Sequence, residues 1–347
     1  MNIDVHALEA IEAERNIPVK DLLSTIASAL LAAYHENKEQ PLQSARARVD
    51  IDTATGDVSI IVSELDEDGE VTSEYDDTPV NFTRVGAGAV RNAIVRRLQE
   101  AETDKAFGEY SSLEGTVVSG VVQADARANE RGMVVVHLGT EAQGQDGVLM
   151  PAEQIPGEKL SHGDRVKSYV VGVFRGPRNL QINLSRTHPE LVRRLFELEV
   201  PEVADGAVEI VSIAREAGHR SKVAVKATVK GLNAKGACIG PRGQRVGNIM
   251  RELGGEKIDI IDYSDDPGTF VGNALAPSKV LKVTVVDEEQ QVARVMVPDY
   301  QLSLAIGREG QNARLAARLT GWKIDIHSDT DVPEDQPAAA EEGADAE

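Results

Sequence analysis

Two stretches of this chain repeat one another: CIGPRGQRVGNIMRELGGEKIDI, Cys238 to Ile260, and LAIGREGQNARLAARLTGWKIDI, Leu304 to Ile326. Each carries I-G-x-x-G-Q, then a helical stretch running to Leu253 or Leu319, a glycine, and the strand KIDI. The second copy is one residue shorter between turn and strand. A matching prelude precedes each turn: two β-runs (VEIVSIARE and SKVAVKATVK; KVLKVTVVD and QVARVMVP) and a short helix (LNAKGACI; DYQLSLAI). The repeating unit is therefore β-β-α-GxxG-α-β, about 65 to 75 residues long and present in tandem.

Glycine at both ends of a turn between helices lets the backbone approach another backbone closely, because no Cβ intervenes. The amides opening the next helix face outward, and the helix dipole favours an anion there. A sugar-phosphate strand meets both conditions. Ile239, Val246 and Ile258 form the expected wall for unpaired bases, with Lys235, Arg242 and Arg245 neutralising phosphates. A lone GxxG reads most simply as a helix-to-helix turn, but two copies in one frame favour the ligand. The pattern resembles the KH domain in its bacterial arrangement, which implies binding of single-stranded RNA.

Residues 111 to 186 show five short β-runs (EGTVVSGVVQ, GMVVVHL, DGVLM, DRVKSYVVGVF, NLQINLS) broken at Gly or Asn. That number fits a small closed barrel of the OB type better than a sandwich. The segment resembles the S-one RNA-binding domain. Residues 1 to 107 begin with two helical patterns, the first capped by Asp4, the second striped by Val19, Leu22, Leu23, Ile26, Leu30 and Leu31. Strands ARARVDI and DVSIIVSEL follow, joined at Gly56. A helix over VGAGAVRNAIVRRLQEAETDKAF then turns Ala89, Ala93, Ile94 and Leu98 inward, with Arg91, Arg96 and Arg97 at or near its exposed face. Its GAGAVR is no dinucleotide fingerprint, since Arg91 stands where the third small residue belongs.

The formal charge of −20 is concentrated: Asp50 to Thr78 holds 11 acids and Ser328 to Glu347 holds 8, neither with any Lys or Arg. The rest of the chain is near neutral, and Arg215 to Arg251 contains nine Lys or Arg against the single acid Glu216. That is a basic patch in an acidic protein. The one cysteine, Cys238, excludes an internal disulfide and a thiolate zinc site, and reads as a small buried residue. Seven scattered histidines, with no Walker loop, nucleophile elbow or HExxH, leave an enzyme reading without a site, and no metal or cofactor is expected. No apolar run approaches the roughly 18 residues that cross a bilayer, and MNIDVHALEAIEAER carries acids where a signal peptide carries lysines, so a cytoplasmic chain is expected.

The order of parts, a helical and acidic N-terminal domain, a barrel and two KH units, resembles the NusA family of bacterial transcription factors. So does the wording of the junction from Arg175 to Val225. The resemblance covers residues 1 to about 328. The expected fold is multidomain α+β: an N-terminal RNA polymerase-binding domain (1–107), an S-one-like OB barrel (111–186), first and second bacterial-type KH domains (187–264 and 265–328), and a disordered acidic tail (329–347). The resemblance implies a factor, monomeric when free, that binds RNA polymerase, nascent single-stranded RNA and other Nus antitermination factors, and so affects pausing, termination and antitermination. RNA contacts are expected at Lys235, Ile239, Gly240, Pro241, Arg242, Gly243, Gln244 and Arg245, and at Gly307, Arg308, Gly310, Gln311 and Arg314. Polymerase is expected to face Arg91, Arg96 and Arg97.

Three features depart from the simplest pattern. Glu309 places a negative charge in the second turn, where a phosphate would sit, so weaker binding is expected there. Gly247 interrupts the helix after the first turn, either for close packing or as a soft point. The barrel offers only Tyr169, Phe174 and His137 for base stacking, each equally suited to the core. The rival reading is an accessory RNA-binding module of an RNA-degradation or ribosome-assembly complex. A phosphorolytic exonuclease would carry its KH and S-one domains behind a large catalytic core, for which residues 1 to 105 are too short. A ribosomal KH protein would normally be basic.

Overall fold

The computed structural model describes residues 1–37, 45–80, 82–140, 144–176 and 180–330, so the acidic tail from residue 331 lies outside the described residues. The chain divides into two compact units, one holding Met1–Ser112 with Phe174–Leu180, the other Leu113–Val173 with the chain from Gln181 onward.

In the first unit, α1 (Val5–Arg15) starts where the Asp4 carboxylate accepts from the Ala7 amide, and α2 (Val19–Asn37) buries Leu22, Ile26 and Leu30 at helical spacing. Strands β1 (Ala45–Ile51), β2 (Val58–Leu65) and β3 (Val71–Asp76) form an antiparallel sheet in that order. The turn between β1 and β2 requires Gly56: its φ is +77° and a Cβ there would lie 2.0 Å from the Ile3 carbonyl oxygen. Helix α3 (Phe82–Ser111) packs on α2, with Ala93 buried and Ile94 and Leu98 partly so. GAGAVR lies inside this helix, where a Cβ on Gly86 would lie 2.9 Å from Leu30 and 3.6 Å from Phe82, and forms no phosphate-binding turn. Strand β3 was not legible in the acidic segment, because all six of its residues are exposed and no apolar alternation marks it.

The second unit opens with β4 (Val117–Gln123), the short α4 (Ala126–Glu130), β5 (Val134–Leu138), β6 (Gln145–Leu149), β7 (Arg165–Arg175) and β8 (Leu180–Ser185). The five expected strands close into a barrel in the order β4-β5-β6-β8-β7, with β6 and β8 parallel. Helices α5 (Pro189–Glu199) and α6 (Pro201–Ala204) lead into β9 (Val208–Glu216), β10 (Arg220–Ala227), α7 (Ala234–Ile239), α8 (Gln244–Glu252) and β11 (Lys257–Asp262). The frame then repeats as α9 (Pro267–Ala274), β12 (Lys282–Asp287), β13 (Val292–Val297), α10 (Asp299–Ile306), α11 (Gln311–Thr320) and β14 (Lys323–Ser328). Each sheet pairs its first two strands antiparallel and its last two parallel, as the repeated sequence requires.

The two αβ modules share a core. On β10, Val223 and Val225 face the first module's interior, while Ala224 on the opposite face joins Ala214, Phe270, Leu315 and Trp322 in the second. Five consecutive residues of β10, Ser221 to Val225, are buried as a result. The Ser212 hydroxyl adds a 3.0 Å bond to the Leu319 carbonyl.

A buried arginine ties barrel to first module. Arg186, its side chain 2% exposed, donates at 2.7 Å and 2.5 Å to the Glu158 carboxylate, at 2.5 Å to the Lys167 carbonyl and at 2.8 Å to the Glu252 carbonyl. Lys167 Nζ reaches the Glu252 carboxylate at 3.2 Å. The α8 terminus is thereby fixed to β7 and to the loop before it. Losing one partner of a buried ion pair strands the other, at about 3 to 5 kcal/mol. Arg186→Met should lower the unfolding free energy by about 3 kcal/mol in urea titration. A change below about 0.5 kcal/mol would show the clamp to be dispensable.

Candidate nucleic-acid interface

The two turns superpose in backbone conformation. Gly240, Arg242 and Gly243 have φ of 73°, 55° and 72°, and Gly307, Glu309 and Gly310 have 77°, 54° and 72°. Each turn thus holds one residue with a side chain in left-handed geometry, which costs roughly 1 kcal/mol or more. The glycines have different reasons to be glycine. A Cβ on Gly240 would lie 2.6 to 2.9 Å from the Arg245 stem, and one on Gly307 2.8 Å from Asn312. A Cβ on Gly243 or Gly310 would meet nothing within 4 Å. The first glycine is closed by its own module, and the second faces open space, where a ligand backbone can approach.

The residue five positions after the first glycine locks each turn. Arg245 donates at 2.8 Å to the Ala237 carbonyl and at 2.8 Å to Glu202 on α6. Asn312, 3% exposed, donates at 2.9 Å to the Ala305 carbonyl and at 3.0 Å to that of Leu275. The shared contact is back to the preceding helix, so Arg245 serves first as a brace.

Pro241, Arg242 and Gln244 are exposed at the first turn, and Ile239 is half-buried against the core with Val246 and Ile258. Lys235 lies 3.8 Å from Asp262 across the gap between α7 and β11. At the second turn Arg308 is exposed with the Glu309 carboxylate 3.8 Å away. Arg314 and Gln311 donate to Glu216 on β9 at 2.6 Å and 2.9 Å, and Arg318 lies 3.7 Å from the same carboxylate. Glu216, the lone acid of the basic window, joins the modules, a role that its isolation among cations signals only once the fold is known. The Arg314 guanidinium holds its carboxyl below the ordinary value.

The linear excess of positive charge is largely neutralised in space. Arg215 pairs with Glu256 at 2.9 Å, their side chains 1% and 0% exposed. Parallel pairing sets Lys222 opposite Asp259, so that Arg220 and Lys222 reach that carboxylate at 2.7 Å and 3.1 Å. Lys226 meets Asp265 at 3.2 Å. These acids follow the window in sequence and fold back onto it. Among the described residues, Lys230, Arg242 and Arg251 are the window's cations with no carboxylate within 4.0 Å. Arg242 alone of these stands in the turn.

Elsewhere, Cys238 is buried and its thiol is pushed up to about 11 by burial. Tyr169 stacks on His188 with centroids 4.5 Å apart, at the junction of barrel and α5, and His137 bonds Asp146 at 2.7 Å. Phe174 is 54% exposed and remains the candidate for stacking. In the first unit Arg91 and Arg96 are exposed, and Arg97 is partly buried, 4.0 Å from Asp21.

A closed five-stranded barrel followed by two αβ modules, each with a GxxG turn in the bacterial KH order, defines an RNA-binding class of protein. Family models match three segments: the NusA N-terminal domain at 5–65, the NusA-like first KH domain at 186–263 and the NusA-like second KH domain at 267–334. The chain is 59% identical to the transcription termination/antitermination protein NusA of Mycobacterium tuberculosis, over 96% of this chain and 95% of that one. It is 42% identical to the protein of that name from Bacillus subtilis (94% and 91% covered) and 37% identical to that from Thermus thermophilus (99% and 94%). The chain belongs to the NusA family.

Open space around Gly247 answers the question its helix posed: a Cβ there meets nothing within 4 Å. Gly247→Ala should raise stability by up to about 1 kcal/mol in thermal unfolding; a loss would reveal a constraint on that helix. Because Glu216 titrates below its ordinary value of 4.5 in the folded chain, its contribution is present above that pH and lost as pH falls through the folded value. Glu216→Gln should therefore destabilise at pH 7, with the difference from wild type shrinking below about pH 4.5. A difference independent of pH would contradict the assignment.

Proposed function

We propose that this chain is a cytoplasmic transcription elongation factor. It binds RNA polymerase through residues 1–107 and holds nascent single-stranded RNA on its barrel and two KH modules, thereby modulating pausing, intrinsic termination and antitermination. Its relatives bear the name of a termination/antitermination protein, and other Nus antitermination factors are the further partners. It acts by binding and carries out no catalytic step. No helix among the described residues is long and apolar enough to cross a membrane.

The observation that carries the reading is the first turn. Gly243 leaves its approach open while the exposed Arg242 stands beside it without a carboxylate partner among the described residues. Phosphate contact falls to Arg242, Gly243 and Gln244 at the start of α8, with Pro241 shaping the turn and Ile239 the apolar wall. Lys235 lies along the same strand path, and Gly240 and Arg245 keep the turn in shape. At the second turn Gly307 and Gly310 supply the same backbone, and Arg308 is the exposed cation. Gln311 and Arg314, drawn to Glu216, leave that copy a weaker grip.

Replacing Pro241 and Arg242 with Asp should weaken binding to unpaired RNA tenfold or more at moderate salt without unfolding the chain; an unchanged Kd would sink the assignment. Glu309→Lys should strengthen binding. Polymerase pull-down with RNA crosslinking separates this reading from an accessory role in RNA degradation or ribosome assembly. Arg91→Glu with Arg96→Glu should reduce polymerase capture while leaving RNA affinity intact. Loss of both would contradict the division of labour.

A further inference from the structure

The first module's sheet is covered on its outer face by the stretch of chain that follows it. Ala214, Ala224 and Ile261 on that face pack against Phe270, Ala274 and Leu275 of α9 and its cap. Lys222, held by Asp259 at 3.1 Å, also donates at 2.7 Å to the Ala276 carbonyl just beyond α9. The chain leaves β11 with the Tyr263 amide bonded to the Val225 carbonyl at 2.9 Å, and Pro267 opens α9 ten residues after Lys257.

The second sheet repeats this face position for position. Strand pairing sets Arg294 opposite Asp325 and Met296 opposite His327, where the first sheet sets Lys222 opposite Asp259 and Ala224 opposite Ile261. Thr284 stands where Ala214 does. Here, however, Lys282, Thr284, Arg294, Lys323 and Asp325 are exposed, and Met296 and His327 are half-buried. Three cations thus share the face with one carboxylate, Asp325, which lies 3.7 Å from Arg294 and 2.7 Å from His327. Leu315, Ala316 and Leu319 of α11 pack with Val295 on the sheet's other side, so the GxxG turn belongs to the opposite face. The chain leaves β14 as it left β11: the Asp329 amide bonds the Val297 carbonyl at 2.9 Å, and Pro333 follows Lys323 by the same ten residues. Residues 331 to 347 then carry seven acids and no Lys or Arg.

We propose that the acidic segment 331–347 docks on the outer face of the second sheet, in the place α9 takes on the first, with its carboxylates on Lys282, Arg294 and Lys323. Opposite charge selects it. A second copy cannot fill the place in the same way, because its own α9 is already buried against its first module. Returning along β14 from Ser328 to Lys323 covers only about 17 Å at roughly 3.3 Å per residue, well within reach of the segment. Tethering holds it at an effective concentration of about millimolar, so weak individual pairs suffice. Gln336 and Pro337 stand where α9 has Phe270 and Val271, so the attachment lacks an apolar anchor and is sensitive to salt. Docked there, the segment leaves both GxxG turns uncovered.

The test treats the full chain at low salt with a water-soluble carbodiimide, which joins a carboxylate only to an amine in contact with it, and maps the joined peptides by mass spectrometry. Carboxylates of the segment should join Lys282 and Lys323 ahead of every other exposed lysine, and the yield should fall about fivefold or more in 0.5 M salt. Thr284→Glu adds a negative charge to the middle of the face and keeps both reporter lysines; it should lower the yield at both by about threefold or more. Removing residues 331–347 should leave affinity for single-stranded RNA within about twofold. Joining that favours Lys230 or Lys235, with RNA affinity gained on truncation, would place the segment over the first turn and overturn the inference. Even labelling of all exposed lysines, or a yield indifferent to Thr284→Glu, would overturn it too. The crosslinking needs no RNA, so its outcome is independent of the RNA-binding reading.

Discussion

The surface proposed to face RNA depends on a turn that the backbone adopts only with glycine on both sides and one residue between them in left-handed geometry. The two copies meet this constraint with nearly identical angles, 73°, 55° and 72° against 77°, 54° and 72°. Conformation is thus held constant while the side chain at the strained position changes from Arg242 to Glu309. Strain of this kind persists only where the surroundings over-determine it. Here the determinants are the glycine packed against Arg245 or Asn312 and the hydrogen bond from that residue to the preceding helix. The result is a presented residue whose charge can vary without disturbing the frame.

That frame is braced by contacts that run through the second compact unit from barrel to second module. Arg186 joins barrel to α8, Arg215 and Glu256 join β9 to the start of β11, and Ala214 and Ala224 extend the first sheet into the second module's core. Buried ion pairs of this type cost desolvation and contribute little net stability when intact, yet they fix geometry because no other pairing satisfies both charges. A surface that must register several nucleotides in a row gains from such fixed spacing. Glu216 has a double effect, since it secures α11 to β9 and in doing so occupies the polar groups of the second turn.

Much of this was legible in the sequence because it rests on local periodicity. The five barrel strands, the β-β-α-GxxG-α-β frame and the α2 stripe each bury one face of a regular element, so apolar spacing reports them. Strand β3 was hidden because an exposed edge carries no such signal, and α9 because a short helix between modules is defined by Asp266 and Pro267 more than by pattern. The spatial distribution of charge was hidden for a related reason. Parallel pairing returns Glu256 and Asp259 to the first half of the Arg215 to Arg251 window, which no linear count shows. Linear position also cannot show that the Arg245 guanidinium turns back to Ala237 and Glu202.

We propose that the two turns of one geometry divide their labour by the charge of a single residue. Exchanging those charges in one chain, Arg242→Glu together with Glu309→Arg, and mapping the peptides crosslinked to bound single-stranded RNA tests it most directly. The principal crosslink should move from the peptide around Gly243 to the one around Gly310, with the fold unchanged by circular dichroism. A crosslink that stays at the first turn, with unaltered affinity, would contradict it.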